Sequence, residues 1–240
     1  RDLDAENGTA ESITIQLNAE GKPESEGDSE HWAYDYSTSF SLNLRQGTFT
    51  LQPSSEPGAE SALQTDLDIR EDAEFNGGTV GRVTNNHGTI SDGTFQREAY
   101  NWGTISDGIF QQPVDNRKTI SGGSFQKPVN NYKTISGGTF EEAVEVYAAS
   151  GNATIEGGTF EKSMALMNDG ASIIISDGLF NGAVVDEGCR APLSISGGLF
   201  TKAVDVSITD PSNLQITGGY FVNKPIVPEG SGPVPAGTKL

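Results

Sequence analysis

From Glu74 onward, apolar and polar positions alternate within a short unit, and the unit then repeats. Thr89-Ile90-Ser91-Asp92-Gly93-Thr94-Phe95 is followed by Thr104-Ile105-Ser106-Asp107-Gly108-Ile109-Phe110 and Thr119-Ile120-Ser121-Gly122-Gly123-Ser124-Phe125. The pattern returns at 134–140, 154–160, 174–180, 194–200 and 215–221. Phe therefore recurs at 95, 110, 125, 140, 160, 180, 200 and 221, first every 15 residues and later every 20 or 21. In each early unit Ile lies between two small hydroxyl residues, the period-two signature of a half-buried strand. The residues around Phe repeat that alternation. A third apolar position falls four residues after each Phe, at Ala99, Val114, Val129, Val144, Met164, Val184 and Val204. A helical repeat needs roughly 33 residues, and paired glycines break short helices. The spacing thus predicts an all-β chain, a single-stranded parallel β-helix (β-solenoid) with three short strands per 15–20-residue rung. Rungs would stack about 4.8 Å apart, roughly nine of them from Phe75 to Phe221. A lone rung cannot bury its apolar residues, but a stack can.

The columns acquire physical roles from this arrangement. Ile90, Ile105, Ile120, Ile135, Ile155, Ile175, Ile195 and Ile216 form an inward aliphatic ladder, and the phenylalanines a second. Gly93 and its equivalents mark a corner. Asn86, Asn101, Asn116 and Asn131 should also point inward, and a buried amide must be hydrogen-bonded; a ladder of stacked amides meets that need. After Phe140 the added segments 147–152, 167–171, 186–191 and 208–213 are expected to bulge from one corner as a lip, the kind of place where solenoids carry binding.

The pattern weakens before residue 74, although Asn43-Leu44-Arg45-Gln46-Gly47-Thr48-Phe49 still fits the rung template. The first 76 residues hold 17 acids against 4 bases. Residues 1–73 read as an irregular acidic cap with opening rungs, 74–224 as the regular β-helix, and 225–240, rich in Pro and Gly, as a linker to further domains of the same chain. The acidic stretch 18–30 reads as a loop. The whole chain carries a net charge of −18, which repels phosphates and anionic lipid and argues against nucleic-acid and membrane-surface roles. No apolar run approaches the roughly 20 residues of a membrane-spanning helix. One cysteine, Cys189, excludes an internal disulfide framework.

The Ile-Ser-Gly-Gly-x-Phe unit, ending in Thr217-Gly218-Gly219-Tyr220-Phe221 before a Pro-rich stretch, resembles the repeats of large surface proteins of gut Firmicutes, described as adhesin-like or as pectin-lyase-like right-handed β-helices. The likeness covers roughly residues 74–228. It implies a right-handed coil in a secreted or wall-attached multidomain protein, and it brings no catalytic residues with it.

Several columns carry candidate chemistry. His87, Trp102, Arg117 and Tyr132 lie outside the inward Asn residues, with Tyr100 facing the same way. Such a strip is either a platform for sugar rings or a self-stacking ladder that shields a corner. Thr89, Thr104, Thr119, Thr134 and Thr154 run beside Ser91, Ser106, Ser121 and Ser136, an array that reads either as an ice-binding face or as ordinary solvent-facing strand residues. Asp92 and Asp107 share a column at a separation that suits a retaining glycosidase pair or a weak calcium site; both also sit in Asp-Gly corners, where Asp is the default. No Ser-His-Asp set stands out, His31 and His87 being far apart in sequence. Late rungs grow apolar on the outside: Ile174 replaces an outward Thr, and Leu179, Leu199 and Tyr220 precede the last phenylalanines. That face meets a partner or is covered by the chain itself.

The expected function is a non-catalytic, structural and adhesive module at the cell surface, without a cofactor, contacting glycan or a host or bacterial surface protein. A polysaccharide-active enzyme of the pectin-lyase type is the alternative.

Overall fold

The computed structural model describes residues 12–23, 34–36, 41–149, 151–167, 170–188, 192–206, 211–231 and 234. His31 and Cys189, most of the 18–30 loop, parts of the added segments and residues 232–233 and 235–240 of the linker lie outside them. The described residues are all β apart from one short 3-10 turn, Pro211–Asn213. The chain divides into two compact units, Arg1–Gln112 and Pro113–Leu240, and each is a parallel β-helix.

In the first unit the strands are β1 (Ser12–Gln16), β2 (Tyr34–Tyr36), β3 (Ser41–Gln52), β4 (Asp66–Val80), β5 (Thr84–Asn86), β6 (Thr89–Phe95), β7 (Ala99–Asn101), β8 (Thr104–Ile105) and β9 (Ile109–Phe110). β1 pairs with β3, β3 with β4, β4 with β5 and β6, β5 with β7, and β6 with β8 and β9, all parallel. β2 alone runs antiparallel, against Leu42–Leu44 of β3. The parallel coil therefore reaches back to Ser12, and residue 73 lies in the middle of β4.

The opening rung departs from the repeat template at Phe49. Gly47-Thr48-Phe49 looks like the Gly-Thr-Phe of the phenylalanine column, yet Phe49 pairs with Phe75, and Phe75 with Ile90. Phe49 and Phe75 thus stand in the aliphatic column, and Val80, paired with Phe95, holds the Phe position. The register slips between Leu44 and Gln46 because β3 crosses that corner as one long strand. A buried ring fits either wall, so residue type does not fix the column there.

In the second unit every strand from Val114 to Phe200 with a partner one rung on meets it in the same register: Ile120 with Ile135, Phe125 with Phe140, Val129 with Val144, and so on to Phe200 with Phe221. The phenylalanines are buried, fully so from Phe125 to Phe200. Their rings stack with centroids 4.8 Å apart from Phe125 to Phe140 and 4.5 Å apart from Phe180 to Phe200, with their planes nearly parallel. Burying each such side chain stabilises by about 1.5–3 kcal/mol, and the ring pair adds roughly 0.5–1.5 kcal/mol. At the corner before each Phe the backbone needs a positive φ, +105° at Gly158 for example, a region glycine enters without steric cost.

The longer rungs do more than bulge. Val146, Ala148 and Ala153 are all buried, as are Leu166 and Ile173 one rung later. The added residues widen the interior at the corner as well as lengthening the loop.

Candidate functional site

The inward Asn column is the best-defined polar feature. In the first unit Asn86 Nδ2 donates to Asn101 Oδ1 at 2.7 Å and to the Thr104 carbonyl at 3.1 Å. Asn101 Oδ1 also accepts the Gly103 N–H. In the second unit Asn116 Nδ2 donates to Asn131 Oδ1 at 2.7 Å and to the Thr134 carbonyl at 3.0 Å, and Asn131 Nδ2 donates to the Lys133 carbonyl. All four side chains are buried. Each amide closes the turn into the following strand and ties one rung to the next, which is the structural role expected from the sequence.

Outside this column lie the aromatic candidates. In the first unit the His87 and Trp102 rings are parallel, 5.0 Å apart, and Tyr100 packs 6.0 Å from Trp102. Tyr100 and Trp102 are 37% and 39% exposed. In the second unit the Arg117 guanidinium sits 4.7 Å over the Tyr132 ring, and Tyr147 stacks 5.0 Å away. Arg117 comes from the preceding rung and Tyr147 from the following one, so both faces of Tyr132 are covered. A sugar ring needs an open aromatic face, and Tyr132 does not offer one. Tyr147 was not among the candidates, although its place one residue after Val146 is the signal that extends the ladder. Its hydroxyl donates to Glu145, and that bond, with burial second, pushes the Tyr147 phenol up to about 12. Tyr132 is raised as well, first by burial and then by the Asp115 charge.

The carboxylates at the corners are engaged locally. Asp92 Oδ1 accepts the Gly93 N–H at 2.6 Å, and Asp107 Oδ1 the Gly108 N–H at 2.8 Å, so each carboxylate is held at its own corner by the next residue. Among the described residues no three His, Cys, Asp or Glu side chains are grouped to hold a metal ion. The serine hydroxyls turn back on the coil: Ser106 donates to the Ile90 carbonyl and Ser136 to the Ile120 carbonyl. They are partly spent on the backbone, which disfavours the ice-binding face.

Among the described residues each unit shows a concave surface. A shallow groove of about 470 Å³ on the second unit is lined by Gly157, Gly158, Asp177, Gly178, Leu179, Gly198, Leu199 and Tyr220. Leu179, Leu199 and Tyr220 stand one above the other in a single outward column, and Tyr220 is 53% exposed. The sequence placed these three residues on one face; the glycine floor beside them becomes evident only in three dimensions. Ile174 is half-buried on the adjoining strand Ile173–Ile175 and does not line the groove. The other surface is a cleft of about 180 Å³ on the first unit, formed by Gly47, Thr48, Glu71, Asp72, Ala73, Glu74 and Thr89. There Glu74 accepts hydrogen bonds from Ser91 and Thr48.

No protein-family model, curated protein or solved structure matches this chain. The functional reading therefore rests on the geometry above. No helix among the described residues is long and apolar enough to cross a membrane.

Proposed function

We propose that this chain is a non-catalytic β-helix module of an extracellular bacterial surface protein, structural and adhesive in role, holding glycan or protein partners by weak repeated contacts. The observation that carries the reading is the groove of Leu179, Leu199 and Tyr220 over its glycine floor. It offers the same kind of contact at each rung spacing, so an extended ligand meets a repeating surface. Exposed apolar surface with polar neighbours is typical of interaction sites, and an open-faced aromatic such as Tyr220 suits a sugar ring or an apolar side chain. The aromatic ladders are more self-contained, because their rings face one another.

A glycan-array and surface-protein screen tests this with three proteins: the wild type, a Tyr220→Ser, Leu199→Ser double variant, and a Trp102→Ala, Tyr132→Ala double variant. The reading expects binding that is lost in the groove variant and kept in the ladder variant. Binding lost only in the ladder variant moves the site to the aromatic strip. No binding by the wild type to either panel removes the adhesive part and leaves a spacer.

The enzyme alternative has its own supporting observation, the acidic cleft holding Glu71, Asp72 and Glu74. Release of saccharide fragments from a polysaccharide panel by the wild type, abolished by Glu74→Gln, would establish it in place of the module reading.

A further inference from the structure

We propose that the interior of the first unit holds one structural water molecule, bridging Thr84 and Asn86. The two residues alternate on β5 and both point inward, 0% and 1% exposed. Thr84 Oγ1 and Asn86 Oδ1 are each buried without a hydrogen-bond partner. Two orphaned oxygens on the same face of one three-residue strand stand apart by two strand positions, roughly 7 Å at the Cβ atoms. A bridging water would close that gap with one hydrogen bond to each oxygen.

The orphaning has a cause in the ladder. Asn101 Oδ1 takes its proton from Asn86 Nδ2, one rung earlier. Asn86 has Ile69 in the equivalent position beneath it, and a hydrocarbon donates nothing. Asn86 is thus the first member of its ladder in the first unit, with its acceptor oxygen unused. Its amide nitrogen is already committed to Asn101 and to the Thr104 carbonyl, so flipping the amide would set two acceptors against oxygen.

The register also sets the neighbours of Thr84. Thr84 pairs with Leu67 below and Ala99 above. Ala99 is the one alanine in a wall that carries Val or Met on every later regular rung, so Thr84 has a smaller neighbour above it than any of those residues would be. Water fits the chemistry: it donates to Asn86 Oδ1 and either donates to or accepts from the Thr84 hydroxyl. Buried waters characteristically satisfy such otherwise unpaired groups. A cation there would pay its desolvation against uncharged ligands.

A high-resolution crystal structure of the wild-type protein decides the matter. The expected map has one solvent peak within hydrogen-bond distance of both Thr84 Oγ1 and Asn86 Oδ1. In an Ala99→Val variant the added methyl groups fill the space and the peak disappears. In Thr84→Val, which keeps the shape but removes one partner, the peak loses occupancy. A wild-type map without the peak overturns the proposal, as does a peak unchanged by Ala99→Val. Because the wild-type map alone is decisive, a variant that fails to fold leaves the test intact.

Discussion

Asn131 lies in register with Val146 of the next rung, and between these two residues the interior of the second unit turns from amide to hydrocarbon. The same step takes the repeat from 15 residues to 20. A 15-residue rung must turn sharply from the third wall into the next strand, and an inward Asn closes that turn by taking up the backbone groups that the corner exposes. A 20-residue rung carries the strand further, through Val146 and Ala148, and closes with a longer loop. At Val146 and Leu166 an aliphatic side chain stands where the amide stood, while one rung further on Asp186 holds the column and again closes a turn, accepting the Gly188 N–H at 2.9 Å.

Replacing Asn116 with Ala should therefore cost more than a polar-to-apolar change of that size elsewhere. It leaves Asn131 Oδ1 and the Thr134 carbonyl without the donor that each now has. Each buried group so orphaned costs about 1–3 kcal/mol. Urea unfolding should show the loss at Asn116, and Asn130→Ala, on the outward position of the strand one rung on (Val129–Asn131), should show much less. Equal losses would contradict a corner role for the ladder.

The phenylalanine stack gives a second expectation. Phe140 is fully buried, with Phe125 and Phe160 stacked at 4.8 Å on either side. Phe140→Ala removes a ring from a close-packed column, and large-to-small changes of this kind cost about 3–5 kcal/mol. Phe140→Leu should retain most of the contact and cost less. Thermal unfolding of the two variants, compared with the wild type, measures the difference.

Gly158 supplies a backbone test. Its φ of +105° is strained for any L side chain, and a Cβ there would lie 3.3 Å from the Gly138 carbonyl oxygen. Gly158→Ala should destabilise by about 1–3 kcal/mol. Gly188→Ala, also at positive φ but with nothing within 4 Å of the new Cβ, should cost only the conformational part. The gap between the two in denaturant midpoint isolates the contact.

Tyr147 should titrate late. Its hydroxyl donates to Glu145, which raises the phenol from 10.0 to about 12. The protonated phenol is the form favoured by folding. The stabilisation it brings is present in full below the unfolded value and is lost as pH climbs from about 10 through about 12. Ultraviolet titration of the native protein should show this late phenolate, and Glu145→Gln should bring it back toward the ordinary tyrosine range. An unchanged titration in that variant would show that the bond is not made.

The walls of the coil were legible because a fixed period prints the same residue type in the same column, and Ile105, Phe110 and Asn116 announce their places unaided. The register of the opening rungs was not, because Phe49 satisfies the template for one wall while occupying another. Periodicity alone cannot tell two buried apolar columns apart when a long strand carries a slip. The groove was half legible: Leu179, Leu199 and Tyr220 follow from alternation, but the floor depends on how the glycine corners lie beside them. The outward direction of the serines was read correctly, while their bonds to carbonyls one rung earlier belong to the stacking and not to the strand. The orphaned pair at Thr84 and Asn86 depends on what stands above and below each residue.

The in-register pairing means that the coil has no intrinsic length. Each rung of the second unit completes only its neighbours, in the manner of a one-dimensional array. Excision of residues 119–133 joins Lys118 to Thr134 and recreates the junction now made by Lys133 and Thr134. Every column survives the deletion. A gene encoding such a coil can gain or lose whole turns by slippage of its repeats, with no search for compensating changes, so that the distance between its ends is free to vary among lineages while the surface chemistry of each turn stays as it was.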